Sequence, residues 1–431
     1  MRFSRGTRLA ACLLALSISL PGGLARAAES AESPLALTEG QSVTLTLEAP
    51  QTGEYRLELE FMALTGKTVN PQATLSLGEA YRTSVTLPRL WKDLRQGDRF
   101  AVDEKGNELV PRQEELFERQ TVVLSLVGGG QPVKLEAGRY TLTLTMTAKS
   151  IELYGARLVP AVGRSYAAYT EEQADKPAGE TVPIYLEAEL PSRKSSAGLT
   201  ATFDNSSPDI SPSAADRTLL GLISAGSREG QWLEWEFTVP KTGYYKLAVK
   251  ARQNLTAGQP SYRRIWIDGE VPFEEFQAVQ FPYSSKWELV EPRNGEEPCL
   301  LYLEAGQAHT LRMEATLGGL RELIREVDGA VSRLSAIYRD ILFVVGHDVD
   351  IYRDYPFEQA IPDTLSQLRQ ESERLAAYYD EYVRITGAPG SQAQVLANMA
   401  RQAADMAERP YRIPRLMADF SNNISALGSW L

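Results

Sequence analysis

The chain has 431 residues, 43% hydrophobic and 23% charged, with a formal net charge of -11 and two cysteines. That length suggests two to four domains, and the acidic balance argues against nucleic acid or anionic membranes as partners. Beyond residue 27 no stretch approaches the roughly 18 uninterrupted apolar residues of a membrane-spanning helix.

Residues Met1–Ala27 read as a secretory signal. Arg2, Arg5 and Arg8 precede the apolar run Leu9–Leu20, and Ala25-Arg-Ala27 forms a small-residue cleavage site. Cleavage removes four arginines and no acid, so the net charge moves from -11 to -15. It also removes Cys12, leaving Cys299 without a partner for an intrachain disulfide. An exported chain without disulfides must rely on its cores, a pattern more bacterial than eukaryotic.

Residues 34–160 carry apolar and polar residues in alternation, the period of strands with one face in a core. Strands are expected at Ser42–Leu47, Tyr55–Phe61, Ala73–Leu77, Thr121–Leu126, Tyr140–Met146 and near Ile151–Leu158. Gly66, Gly78 and Gly128–Gly130 separate them. Many short strands at this spacing predict an antiparallel sandwich. Gln41–Phe61 also aligns without a gap to Gln231 onward at an offset of 190, with Pro50 on Pro240, Gly53 on Gly243 and Tyr55 on Tyr245. In each stretch a Pro-x-Thr-Gly turn joins two alternating segments, and the pattern is read as an antiparallel hairpin. Further on, Leu135–Gly138 matches Leu303–Gly306 at an offset of 168, which leaves about 22 extra residues in the first copy, assigned to Lys92–Arg119. Ordered matches of this kind predict two copies of one β-rich domain.

Residues 161–182 read as a linker or short helix, and residues 183–317 as the second sandwich. Its expected strands begin with Pro183–Glu189 and include Trp232–Thr238, Arg263–Asp268, Cys299–Leu303 and His309–Ala315. The motifs YLEAE at Tyr185–Glu189, EGQWLEWEF at Glu229–Phe237, the Pro240–Tyr245 turn and LEAGQAHTLRME at Leu303–Glu314 resemble carbohydrate-binding modules of families 6 and 35. The segments ARQNL at Ala251–Leu255, YRRIWIDGEVPFEE at Tyr262–Glu275 and QFPYSSKW at Gln280–Trp287, with the helices that follow, are similar to the N-terminal part of large extracellular solute-binding proteins of bacterial sugar ABC transporters. The fold class expected is therefore β plus α, with two tandem antiparallel jelly-roll-type sandwiches followed by a helical region. The resemblance implies a secreted, non-catalytic, carbohydrate-binding protein at the bacterial cell surface. Its partners would be an oligosaccharide or polysaccharide, and an ABC permease or a following solute-binding domain. Two other readings stand beside it: a structural spacer with no glycan site, and an accessory region of a polysaccharide-degrading enzyme.

Residues 318–431 change period from two to 3.6. Leu320, Leu323, Ile324, Val327, Val331, Leu334, Tyr338, Ile341 and Val345 share one helical face, which Gly346 ends. Further helices are expected at Asp363–Ile385, Ser391–Glu408 and Pro414–Leu431, the set of a small bundle. Trp430 and Leu431 end the last of these inside helical sequence.

The sequence offers no nucleophile elbow, phosphate loop or cysteine-pair zinc spacing. His309 and His347 have no metal-spaced companion, and Cys299 reads as a small buried hydrophobe. Asp348, Asp350 and Asp354 could suggest calcium, but the stretch lacks the glycine and closing glutamate of an EF-hand loop and reads as a capped interhelical turn. A sugar site needs a flat aromatic face ringed by polar side chains that satisfy hydroxyls. The candidates outside strict alternation are Arg252, Asn254, Tyr262, Arg263, Tyr283 and Trp287, with an arginine suited to a uronate carboxylate. The competing assignment packs Tyr283 and Trp287 under their loop or against the first helix. In the resembling modules, acids of the opening strand help hold a structural calcium ion, so the resemblance implies Glu187 and Glu189 as metal ligands. Carboxylate oxygens suit that hard cation. The alternative makes them solvated strand residues, and Met313–Thr316 supplies no aspartate to complete a site.

Overall fold

The computed structural model describes residues 15–18, 26–29 and 34–429, less 65–68, 96, 98, 128–131, 178, 206, 208–209, 227 and 256. Most of the signal, Gly66, Gly128–Gly130 and the terminal Trp430-Leu431 lie outside the described residues. The chain forms antiparallel β-structure followed by a helical region, and it divides into two compact units. The first comprises residues 1–246, 264–277 and 293–315; the second comprises 247–263, 278–292 and 316–431.

Within the first unit, residues 35–160 make a sandwich. Ser42–Ala49 pairs with Gly138–Ala148, which pairs with Gln72–Leu77, and Tyr81–Thr86 forms that edge of the sheet; on the other side Ala15–Ile18 pairs with Ser42–Ala49 and Arg26–Glu29 lies beyond it. In the opposite sheet Gly53–Ala63 lies between Gln120–Leu124 and Ile151–Pro160, with Val133–Leu135 continuing the first of these and Leu35–Leu37 beyond the second. Alternation decides which side chains turn inward. Val43, Leu45, Leu47, Leu57, Leu59, Phe61, Leu75, Leu142 and Leu144 are buried in one cluster. Each such side chain contributes about 1.5–3 kcal/mol by leaving water.

The expected hairpin is not one. Ser42–Ala49 and Gly53–Ala63 belong to different sheets, so Pro50-Gln-Thr52 is a corner that carries the chain across the core. The second module repeats the corner: Trp232–Thr238 pairs with Ala308–Thr316, and Gly243–Lys246 with Leu300–Leu303. Alternation fixes which face is buried, but it does not choose the partner strand.

Three details recur at the offsets found in the sequence. Gly53 opposes Leu135 and Tyr55 opposes Val133, as Gly243 opposes Leu303 and Tyr245 opposes Leu301. The Tyr55 hydroxyl donates to the Gln51 carbonyl at 2.7 Å, and that of Tyr245 to the Lys241 carbonyl at 2.6 Å. Thr52 Oγ1 accepts from the Ala137 amide at 3.1 Å, and Thr242 Oγ1 from the Ala305 amide at 2.9 Å.

Pro183–Glu189 forms no strand, contrary to expectation, and Tyr185 is 86% exposed. The place beside Trp232–Thr238 is taken by Arg193–Lys194 instead. The residues that are extra in the first copy then extend this same sheet. Leu90–Asp93 pairs with Gln113–Leu116, and Trp91 opposes Lys194. Lys194 Nζ lies 2.5 Å from Asp93 Oδ1 and 2.6 Å from the Leu199 carbonyl, and both charged side chains are wholly buried. Desolvation lowers the Lys194 ammonium below its ordinary pKa, with Asp93 opposing that effect. Beside this pair Glu234 is held between Arg193 and Arg312, and Arg312 Nη1 donates to the Thr121 carbonyl at 3.2 Å. The insertion is thus structurally part of the second module.

In the second unit the helices run Leu320–Val345, Phe357–Ala360, Pro362–Thr386, Ser391–Glu408 and Ile413–Gly428. Pro362 opens its helix, where a missing N–H costs nothing. Gly387 closes it in the left-handed region that glycine favours, at φ 78°. Leu323, Val327, Leu334, Leu375, Met399, Met406 and Phe420 fill the helical core. Among the described residues no helix is long and apolar enough to cross a membrane.

The buried pair gives the first test. Asp93 Oδ2 has no hydrogen-bond partner, so Lys194→Met strands a carboxylate in the interior. It should lower the unfolding free energy by about 3–5 kcal/mol. Adding Asp93→Leu should restore most of that loss in a denaturant double-mutant cycle. Additive losses would show that the two charges are not coupled.

Candidate functional site

The site is built from two short strands of the second unit. Val249–Ala251 pairs antiparallel with Glu288–Val290, Ala251 opposing Glu288. Continuing that register by one residue sets Arg252 opposite Trp287, and the guanidinium carbon lies 4.8 Å from the indole centroid. The loop before Trp287 is pinned at both ends. Phe281 is buried and opposes Ser261. Ser284 donates its amide to the Gln253 carbonyl at 2.8 Å and its hydroxyl to Glu288 Oε1 at 2.7 Å, while its Oγ accepts from the Lys286 amide at 3.1 Å. Arg252 and Trp287 are half-buried, Asn254 is exposed and Tyr283 is 40% exposed. Sequence reasoning missed Gln253, Ser284 and Glu288, because a lone glutamine, serine or glutamate carries no signal of its own.

This arrangement offers an indole, a stacked guanidinium and, two residues on, the Asn254 carboxamide. Such a guanidinium gains about 0.5–1 kcal/mol at an exposed ring. A guanidinium carries N–H groups in the fork geometry that a carboxylate accepts.

Two expected ligand residues are elsewhere. Tyr262 is 6% exposed and belongs to the helical core. Gly318 lies flat on its ring, where a Cβ would stand 2.4 Å from Cγ. Burial pushes the Tyr262 phenol up to about 12. The alternating strand did not reveal that Tyr262 joins the helical core. Arg263 turns back on its own strand and donates from Nη1 to the Tyr262 carbonyl at 2.7 Å. Desolvation pulls its guanidinium down to about 10, and the half-buried side chain is engaged with its own strand.

The calcium ligands implied by resemblance do not converge. Glu187 is exposed, whereas Glu189 is 1% exposed and meets Arg99 Nη1 at 2.7 Å. Among the described residues no group of three or more His, Cys, Asp or Glu side chains has metal-binding geometry. The residues present do not fit a calcium site, because a guanidinium already answers the buried carboxylate. His309 is buried between Asp268 and the Glu304 carbonyl, at 2.7 and 2.9 Å. Cys299 is 1% exposed and burial pushes its thiol up to about 11, away from nucleophile chemistry. Trp232, Trp235 and Trp266 are core residues. A polar cleft of about 500 Å³ lies between the last two long helices, lined among others by Gln402, Asp419, Asn422 and Asn423, and it contains no aromatic ring.

Comparison with known proteins bears on the helices first. Residues 322–431 match the family described as "Bacterial solute-binding protein, 4-helix bundle domain". No curated protein matches the chain. Among solved structures, a family 35 carbohydrate-binding module in complex with a glucuronic acid-containing disaccharide is 17% identical. It covers 28% of this chain and 68% of its own, with a TM-score of 0.18. A family 61 module in complex with β-1,4-galactotriose is 14% identical and covers 34% and 81%, with a TM-score of 0.17. The isomalto-dextranase of Arthrobacter globiformis T6, complexed with panose, is 12% identical and covers 66% and 34%, with a TM-score of 0.21.

The buried phenol makes a prediction with a definite sign. Its pKa is about 12 when folded against an ordinary 10.0, so the unfolded chain loses this proton first as pH rises. The Tyr262 contribution is complete below pH 10 and is lost between about 10 and 12. Tyr262→Phe should therefore flatten the fall in denaturant stability over that window. An unchanged slope would place the phenol in water.

Proposed function

We propose that this chain is an exported, non-catalytic component of a bacterial solute-uptake system that captures an oligosaccharide at the Arg252–Trp287 rim. The observation that carries the reading is the stacked pair at 4.8 Å, displayed on a loop that Ser284 ties to the opposing strand. An indole packs against the C–H face of a sugar ring, and Asn254 and Tyr283 supply hydrogen-bonding groups from the same two segments. Arg252 favours a sugar that carries a carboxylate, a uronate. The match of residues 322–431 to a solute-binding-protein bundle supports the uptake context. An ABC permease or a following solute-binding domain would be the protein partner, and the extracellular face of the cell the location. The recurring registers and tyrosine bonds support an origin of the two sandwiches by internal duplication.

A spacer that presents another domain and binds no glycan is the rival reading. It is favoured by the same stack, since Arg252 already covers one face of Trp287.

Calorimetry on the full chain separates the two. Uronate-containing oligosaccharides should bind with measurable heat, and Trp287→Ala should weaken them roughly thirtyfold, the loss of an aromatic anchor worth about 2 kcal/mol. Arg252→Met keeps an aliphatic stem over the indole, so it should remove the preference for uronate over neutral sugar. A folded protein that gives no heat with any oligosaccharide leaves the spacer.

A further inference from the structure

We infer that Glu108 and Glu189 form a cation seat which the chain fills with its own guanidinium, Arg99, making the second module independent of metal and dependent on the first module's insertion. The donors converge on one cationic group. Arg99 Nη1 reaches Glu189 Oε1 at 2.7 Å, Nη2 reaches both oxygens of Glu108 at 3.1 and 3.0 Å, and Nη2 reaches the Leu220 carbonyl at 3.2 Å. The side chains of Glu189 and Glu108 are only 2% and 7% exposed, so neither carboxylate has bulk water to stabilise its charge. Three carboxylate oxygens and a carbonyl around one centre are the donors a hard dication uses. The guanidinium supplies the positive charge in their midst.

The source of that charge gives the arrangement its meaning. Arg99 and Glu108 both lie in the stretch that only the first copy contains, while Glu189 and Leu220 belong to the second module. The arms are closed by backbone contacts as well. The Leu220 amide donates to Glu108 Oε2 at 2.6 Å, and the Glu108 amide donates to the Thr218 carbonyl at 2.9 Å. Phe100, Ala201 and Leu220 pack as a small apolar cluster, and the Phe100 ring centroid lies 5.4 Å from the Arg99 guanidinium carbon. Burial raises the Glu189 carboxyl pKa, while its own backbone amide and Arg99 act to lower it, and of these Arg99 supplies the counter-charge.

The test is thermal unfolding of the full chain with chelator or with millimolar calcium chloride. The wild-type melting temperature should be the same in both. Arg99→Met keeps the aliphatic packing but removes the charge, and should melt roughly 5–10 °C lower in chelator. Millimolar calcium should recover about half of that loss or more by binding the vacated carboxylates. Adding Glu189→Gln should abolish the recovery. If Arg99→Met does not fold in chelator, refolding in calcium should rescue it, and Arg99→Lys should fold without calcium. The inference is overturned if wild-type protein binds calcium in a manner lost in Glu189→Gln. It is equally overturned if Arg99→Met melts like the wild type, or if calcium neither stabilises nor rescues it.

Discussion

The constraint on which the first unit's sheet pairing depends is that a lysine and an aspartate with no access to water must meet. Lys194 and Asp93 lie on adjacent strands of one sheet although 101 residues separate them in sequence, and neither charge is tolerable in the interior without the other. Once they meet, the inserted hairpin is fixed as the continuation of the second module's sheet through the Trp91–Lys194 register. The Arg193–Glu234–Arg312 cluster then follows, as does the approach of Arg99 to Glu189. A second sandwich built from short strands is completed by chain that precedes it by a hundred residues.

The candidate rim depends on different physics. It is a short two-stranded ribbon in the second unit, and backbone register sets the facing of Arg252 and Trp287. Ser284 adds three hydrogen bonds that restrict the loop, so an aromatic side chain is displayed at lower entropic cost than on a free loop. Tyr262, on the neighbouring strand, roots that unit in the helical core instead of facing a ligand.

What could be read from the sequence was what depends on neighbouring residues. Period-two segments became strands, the 3.6-period stretch became helices, and Gly346 and Gly387 ended two of them as glycine should. The shared offsets of Tyr55 and Tyr245 matched real equivalences in register and hydrogen bonding. Pairing was not legible, because alternation looks the same in a hairpin and in a corner between sheets. The fate of Tyr185–Glu189 was hidden for a related reason. A strand-like segment stayed unpaired because Arg193–Lys194 and an insertion remote in sequence occupy that side of the sheet. Of the six sugar-site candidates, Arg252 and Trp287 meet, and Asn254 and Tyr283 are exposed in the same two segments. Tyr262 was drawn into the helical core, which only the helices could reveal, and Arg263 turns back on its own strand.

Glycan capture at this rim is tested most directly by hydrogen exchange on the full chain, with and without a uronate-containing oligosaccharide. Slower exchange confined to backbone amides of residues 250–255 and 283–290 is the outcome required. Protection elsewhere, in the cleft between the last two helices for instance, or no protection with any sugar, would contradict the account.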